Sequence, residues 1–571
     1  MINKKRLLAL LLIALSAAAE AGEKEELLKL RNTTTNLIKQ LVKQGVITDQ
    51  MAEQMIKQAE ADAEQQVAQA KALDTEKSAV PADEVRVAYV PDFVKDEIRQ
   101  QVRNELKEEV VGDVMAKAKN EQWGLPNALP EWTRRFKLSG DIRLRSQHDE
   151  MAKGNIENGL SQPFYFDAQA INDAGGQTAA GLNQFRNTTE GRHQFRQRFR
   201  LGIDADIADG LKAGVRLATG NQRDPVSTNQ TLGNTGQRYD FTIDRAYLQY
   251  DALDDDKFKW LTLSGGRIKN PWYTGGGEFT GGSELVWDTD LSFEGFAATV
   301  RHRLAGSDGL MAKNDQSDSL FATVGAFPLQ ESSLSSDKWL FGGQTGMELG
   351  FENQNNLKMA VAYYDYVNVE AKQNEPGRRT CDLNTPAITA SRPEFMQGGN
   401  TLATICQEGT NGTSNGLDQM IGLASDYNIV NANVSYEMAN FAPHHLRLSA
   451  DYAKNIGFDK EAVSRLLNGN VVDPETNAWQ FRVDYGWPIA ERPGNWNVFA
   501  AYKYVERDAV LDAFTDSDFR LGGTNSKGWF IGGNYGLMKN VWLTGRWLSA
   551  DIITGPPFGI DVLQIDVNTR F

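Results

Sequence analysis

Phe136-Lys137-Leu138-Ser139-Gly140-Asp141-Ile142-Arg143-Leu144-Arg145 is the stretch on which the fold turns. Phe136, Leu138, Ile142 and Leu144 fall on one parity, and Lys137, Ser139, Asp141, Arg143 and Arg145 on the other. Successive side chains of a strand point to opposite faces, so this is a strand with one apolar and one polar side. The alternation recurs to the end of the chain. Phe195, Phe199, Leu201 and Ile203 oppose Arg196, Arg198, Arg200 and Asp204; Leu211, Ala213, Val215 and Leu217 oppose Lys212 and Arg216 after the tight turn Ala208-Asp209-Gly210. Sixteen strands are predicted, starting near residues 136, 193, 211, 241, 258, 293, 319, 338, 357, 428, 445, 478, 495, 527, 541 and 562. The parity of the one at 258–268 slips around Gly265–Gly266, which points to a bulge there.

The connections alternate in length. Short ones follow residues 207, 251, 304, 351, 438, 487 and 537, and most of the others are longer: 147–191, 220–240, 269–292, 370–427, 455–476 and 506–526. An up-and-down barrel with different surroundings at its two rims gives this pattern. The expected fold is all-β: a 16-stranded antiparallel transmembrane β-barrel over residues 136–571, preceded by a periplasmic α-helical, coiled-coil segment. A closed barrel pairs every backbone N–H and C=O between strands, so it crosses lipid without a long apolar run. Only alternate residues need be apolar, which accounts for a mean hydropathy of −0.46. Trp339, Trp487, Tyr504, Trp529 and Trp547 sit near strand ends on the apolar parity, as interfacial girdles require. The chain closes on Phe571, also of apolar parity.

Upstream, Lys4, Lys5 and Arg6 precede an apolar run from Leu7 to Ala18 and the small-x-small triplet Ala19-Glu20-Ala21. This predicts a signal peptide over 1–21 with cleavage after Ala21. Residues 22–80 form the helical segment, where Leu27, Leu30, Thr34, Leu37 and Leu41 share one face. Residues 81–135 carry a short strand (Val85, Val87, Tyr89), an amphipathic helix after Pro91 and a linker. Narrow apolar stripes of this kind associate as coiled coils, or fold on themselves as a helical hairpin.

The 571 residues hold 60 basic and 75 acidic side chains, a formal charge of −15. Such acidity argues against nucleic-acid binding, which needs a basic footprint. With two cysteines, a Cys-based zinc site or iron–sulfur cluster is not expected; no cofactor or metal is. Cys381 and Cys406 share the loop 370–427, where export permits a disulfide; two free thiols are the alternative. Gly412-Thr413-Ser414-Asn415-Gly416 matches a hydrolase pattern but lacks its strand-to-helix context, so no catalytic residues and no enzyme are predicted. His444–His445 falls in a short turn and reads as solvated rather than ligating, and Asp254-Asp255-Asp256 lacks the spacing of a calcium loop.

Several stretches resemble the bacterial "putative porin" family. They are Val85-Arg86-Val87-Ala88-Tyr89-Val90-Pro91, Trp123-Gly124-Leu125-Pro126, Leu129-Pro130-Glu131-Trp132, Gly140 to Arg145, Leu41 to Thr48, Ile243 to Leu248 and Leu285-Val286-Trp287-Asp288. The resemblance spans essentially the whole chain after Ala21 and rests on motif order rather than on any one motif. It implies a diffusion channel in a Gram-negative outer membrane with a periplasmic helical segment, and no particular solute. By analogy with 16-stranded porins it implies a homotrimer.

Placing the polar parity inward gives 16 basic residues against 9 acidic ones. Nine of the basic groups belong to the first four strands, among them Arg143, Arg145, Arg196, Arg198, Arg200, Lys212, Arg216 and Arg245 as candidate pore-lining residues. An arginine wall favours anions, because guanidinium stays charged and offers a planar fork of donors; solvated lumen charge without selectivity is the alternative. The Gly-rich loop 269–292 carries Glu278, Glu284, Asp288 and Asp290. In general diffusion porins a comparable third loop folds inward; here that would set these acids against the arginines, whereas an outer position would leave them solvated. A different reading makes the chain an envelope tether, in which the barrel anchors helices that bind peptidoglycan or envelope proteins.

Overall fold

The computed structural model describes residues 131–571 except 277–280, 305–317, 334–335, 352–353, 374–390 and 407–419. The signal peptide, the helical segment 22–80 and residues 81–130 lie outside the described residues. So do Glu278, Cys381 and the Gly412–Gly416 motif.

A short helix, Glu131–Arg134, leads into sixteen barrel strands. They are β1 (Phe136–Met151), β2 (Arg192–Ala208), β3 (Leu211–Ala218), β4 (Thr242–Leu253), β5 (Lys259–Lys269), β6 (Ser292–Arg303), β7 (Ser319–Gln330) and β8 (Lys338–Gly350). The others are β9 (Asn356–Val367), β10 (Tyr427–Met438), β11 (His445–Asn455), β12 (Asn477–Gly486), β13 (Trp496–Val505), β14 (Ser526–Met538), β15 (Val541–Ile552) and β16 (Gly559–Arg570). Each starts within three residues of its expected position. Each pairs antiparallel with its neighbours in sequence. Closure comes from β1, which pairs with β2 (Phe136↔Ala205 to Asp149↔Arg192) and with β16 (Asp141↔Arg570 to Met151↔Ile560). No barrel edge is left, which is what permits strands to meet hydrocarbon.

Exposure follows parity. Phe136, Leu138, Ile142 and Leu144 are exposed on β1, while Arg145, Gln147 and Asp149 are buried. Phe195, Val215, Leu248, Phe296, Val324, Phe481 and Ile565 continue the apolar outer band. Aromatic pairs flank it: Trp529 with Trp547 (5.1 Å between ring centres) and Trp479 stacked on Tyr504 (5.7 Å). At the seam, Phe571 and Gly140 exchange backbone hydrogen bonds of 2.9 and 3.0 Å. The Phe571 ring lies over Gly140, where a Cβ would collide with it, so glycine there makes room for the terminal aromatic.

Both barrel ends lie on the short-turn rim. Two differences from the sequence reading stand out. The connection after β6 covers residues 304–318, longer than expected, while the β7–β8 and β15–β16 connections on the other rim are short, 331–337 and 553–558. The expected bulge at Gly265–Gly266 is absent: both residues stay in register with β4 and β6. The register shift lies earlier in the strand: Leu261 pairs with Ala252 but Lys259 with Leu253, so Trp260 is the extra residue, and Trp260 and Leu263 are both exposed despite their opposite parity; Ile268 is apolar yet faces inward and is buried. Gly266 has φ +107°, a conformation that favours glycine.

Ile268 belongs to a buried apolar cluster inside the barrel. Phe293, Phe327, Leu340, Tyr364, Tyr366, Ile429 and Val505 contribute from inner faces, Trp272, Leu285, Val286, Trp287, Val510 and Leu511 from the connections after β5 and β13, and Ile171, Val226, Met396 and Leu423 from three further connections. An inner apolar face cannot stay wetted at low cost. Residues 270–276, 281–291 and 506–525 fold inward and help to cover it.

Candidate functional site

The inward fold of 270–291 is fixed at several points around the barrel. The Tyr273 amide donates to Gln344 on β8 (2.8 Å), and its hydroxyl meets Ser435 on β10 (2.5 Å). Trp287, 1% exposed, packs edge-on against Phe293 (5.0 Å) and Tyr364 (4.9 Å). Lys503 on β13 donates to the Glu284 carbonyl (3.1 Å). Asp290 reaches β2, accepting from Arg198 (3.4 Å) and Arg200 (3.0 Å).

The second inward connection, 506–525, clasps the first. The Asp288 amide donates to the Phe514 carbonyl (2.7 Å), and the Ser517 amide to the Asp288 carboxylate (2.9 Å). Asp518 then bridges Arg145 of β1 (3.0 Å), Arg546 of β15 (3.0 Å) and Gln564 of β16 (2.9 Å). Asp516 pairs with Lys503 (3.1 Å). Sequence reasoning missed this connection. Its signal was there in Ala509-Val510-Leu511 and Phe514, an apolar run in a loop that a solvated position does not explain.

The arginine wall is therefore not bare. Arg198 and Arg200 share Asp141 (2.8 and 2.7 Å) and Asp290. Arg145 takes Asp566 (2.8 Å) and Asp518. Arg216 pairs with Asp244, and Arg546 with Asp518. Five arginines are thus matched by five aspartates. Lys212 shares Asp251 (3.6 Å) with Lys259 (3.1 Å). Arg143, Arg196 and Arg245 have no carboxylate at ion-pair distance among the described residues. Arg143 donates to Asn229 (2.5 Å), Arg196 to Ser227 (3.5 Å) and Arg245 to Ser292 (3.2 Å).

The loop acids divide by what faces them. Burial alone would raise Asp290, but Arg198, Arg200, Arg143 and Arg216 outweigh it and hold the carboxyl well below the usual range. Asp518 is held low the same way, with Arg145 and Arg546 outweighing burial. Asp288 makes no ion pair among the described residues. Burial pushes it well up, and Glu284, Asp290 and Asp516 add to the shift. Glu284 is raised by burial and by Asp516.

A cavity of about 630 Å³ lies on the long-connection side, lined among others by Arg267, Phe293, Phe327, Arg392 and Phe514. No group of three or more potential metal ligands occurs among the described residues. His445 pairs with Glu437 (2.6 Å), and His444 packs against Tyr485, Trp487 and Trp496, so neither reads as a metal ligand. Asp254 accepts from the Asp256 and Phe258 amides (3.0 and 2.8 Å), which is turn capping.

A family model described as "Putative porin" matches residues 31–571. No curated protein matches the chain. Solved structures similar to it include the high-pH form of OprB from Pseudomonas putida, at 11% identity over 79% of this chain and 97% of that one, TM-score 0.41. The outer membrane channel DcaP of Acinetobacter baumannii is 10% identical over 76% and 97%, TM-score 0.38. The trimer form of OmpT from Vibrio cholerae is 10% identical over 76% and 99%, TM-score 0.38.

Proposed function

The chain belongs to the "Putative porin" family, and from that premise we propose that it lets ions and small hydrophilic solutes diffuse passively across the outer membrane, with a weak anion preference. One observation carries the preference: on β1–β4, Arg143, Arg196 and Arg245 have no ion-pair partner among the described residues, although two connections bring carboxylates to the same wall. Uncancelled guanidinium in a confined, low-dielectric passage draws anions and repels cations.

In this reading, Arg145, Arg198, Arg200, Lys212 and Arg216 also line the passage, and Glu284, Asp288 and Asp290 belong to the connection that narrows it. Glu278 is assigned with them by its place in the sequence. Cys381 and Cys406 staple the loop 370–427, whose Ala403, Ile405 and Met420 are buried, and peptide mapping without reductant will show one linked peptide. The helices of 22–80 stand in the periplasm, where peptidoglycan is a candidate partner, and three copies assemble around an axis. Purified protein in planar bilayers should form stable channels with reversal potentials on the anion side. A clear cation preference overturns the assignment of charge.

A further inference from the structure

Within that porin reading we propose that Arg143 and Arg196, together with Ser227 and Asn229, form a binding site for a tetrahedral oxyanion carrying two negative charges. Inorganic phosphate and sulfate are its simplest probes. The proposal starts from an imbalance. Arg145 pairs directly with Arg196 across β1 and β2, and Arg143 with Arg198. Arg143 and Arg196 are therefore diagonal neighbours on the inner face, roughly 7–8 Å apart at their backbones. Two half-buried guanidiniums held this close repel each other, with part of the screening water removed, and an anion between them would relieve that repulsion.

The local carboxylates attract Arg143 and Arg196 only from beyond ion-pair distance, because their direct contacts are made to other groups. Asp566 and Asp518 are held by Arg145, and Asp141 and Asp290 by Arg198 and Arg200. Asp149 accepts from Gln147 (2.8 Å) and Gln194 (2.9 Å), and Asp224 accepts the Val226 amide (3.0 Å). Neither Asp149 nor Asp224 makes an ion pair with Arg143 or Arg196.

The donors left over define the ligand. The Nε of Arg143 and the Nε of Arg196 are both buried without a hydrogen-bond partner among the described residues. Ser227 Oγ accepts from Arg196 (3.5 Å), from the Asn229 amide (3.4 Å) and from Asn229 Nδ2 (3.2 Å). Its own proton has no acceptor among the described residues. Asn229 Oδ1 accepts from Arg143, so both guanidiniums converge on the segment Ser227–Asn229. Guanidinium forks and a hydroxyl donor suit an oxyanion, and two positive charges suit a divalent one. Chloride and other monovalent anions cancel half of that charge and engage fewer donors.

Calorimetric titration of the full chain in detergent, with inorganic phosphate and then sulfate, reads the site without requiring conduction. One saturable site is expected for each. Arg143→Gln with Arg196→Gln should weaken binding at least tenfold. Asn229→Asp, which brings a carboxylate beside Arg143, should do the same while leaving both arginines in place and guarding against misfolding. Nitrate should not compete at matched ionic strength. Absence of saturable binding, or equal affinity in wild type and both variants, overturns the site. The porin reading is judged separately in bilayers: channels that phosphate does not block in a barrel that does not bind it leave that reading standing, whereas binding without channels removes the reading and keeps the site.

Discussion

Replacing Trp287 by alanine tests whether the inward connection sets the passage. Trp287 is 1% exposed and touches Phe293, Tyr364, Tyr366 and Phe514 with ring separations of 5.0, 4.9, 6.4 and 6.0 Å. Losing a fully buried aromatic of this kind costs about 3–5 kcal/mol. Trp287 takes no part in any strand ladder, so the loss falls on the docking of 270–291 rather than on barrel closure. At about 1.4 kcal/mol per tenfold change, the docked-to-undocked ratio falls by roughly two to three and a half orders of magnitude. Single-channel recording should show higher conductance and more open-state noise. Hydrogen exchange should show lost protection over 281–292, with the β1–β16 seam still protected. Trp287→Phe keeps most of the contact and should lie between. Wild-type conductance together with wild-type protection in the alanine variant would refute the claim that this segment plugs and narrows the barrel.

Other consequences follow from the charge map. Asp290→Asn leaves Arg198 and Arg200 with Asp141 alone; selectivity should move further toward anions, read from reversal potentials in a salt gradient. Arg196→Gln should shift selectivity toward cations with 270–291 still docked, whereas Arg198→Gln also strands charge on Asp141 and Asp290 and should lower hydrogen-exchange protection over 281–292; equal protection in the two variants would contradict the pairing. Burial pushes the Asp512 carboxyl, whose Oδ2 accepts the Gly398 amide, up to about 6. A raised acid favours the neutral form when folded, so its contribution is present at low pH and lost as pH rises from about 4 through about 6. Intrinsic-rate-corrected exchange over 506–525 should be slower at pH 5 than at pH 7.5, and Asp512→Asn should remove the difference. Deleting residues 22–120 should leave conduction intact if the barrel is the working part; an envelope phenotype without change in conduction would favour the tether.

Period-two alternation located every barrel strand, because one face meets apolar surroundings over its whole height and a one-residue slip would reverse it. The inner face obeys no such uniform rule. Parity put Arg143 to Arg200 inward but implied a wholly polar lumen, and so gave no account of Ile268, Phe293, Leu340, Tyr364 and Tyr366. Those residues are apolar on the polar parity and cluster toward the long-connection end of their strands. Leu285-Val286-Trp287 and Ala509-Val510-Leu511 are apolar in loops. Each set is anomalous alone; together they are the two halves of one interface, and matching them would have predicted both inward connections. Pairwise partners such as Asp290 with Arg198, or Asp518 with Arg145, lie 92 and 373 residues apart and leave no periodic trace.

A count of inward charges gave a strongly basic wall, but Asp290 and Asp518 are carried in by connections and bind its arginines from within. The field a solute meets depends on what those connections leave uncovered. Arg198, Arg200 and Arg145 contribute mainly to holding the connections in place, since breaking one buried partner strands the other's charge. On the proposed reading, Arg143, Arg196 and Arg245 contribute to the field. One arginine-rich wall of neighbouring strands thus serves two roles, and the division follows from which guanidiniums an aspartate can reach. Undocking 270–291 would release Arg198 and Arg200 at the same moment that it widens the lumen. Conductance and anion preference should therefore rise together, and a mutation at Trp287 that raised conductance while lowering anion preference would break the link between them.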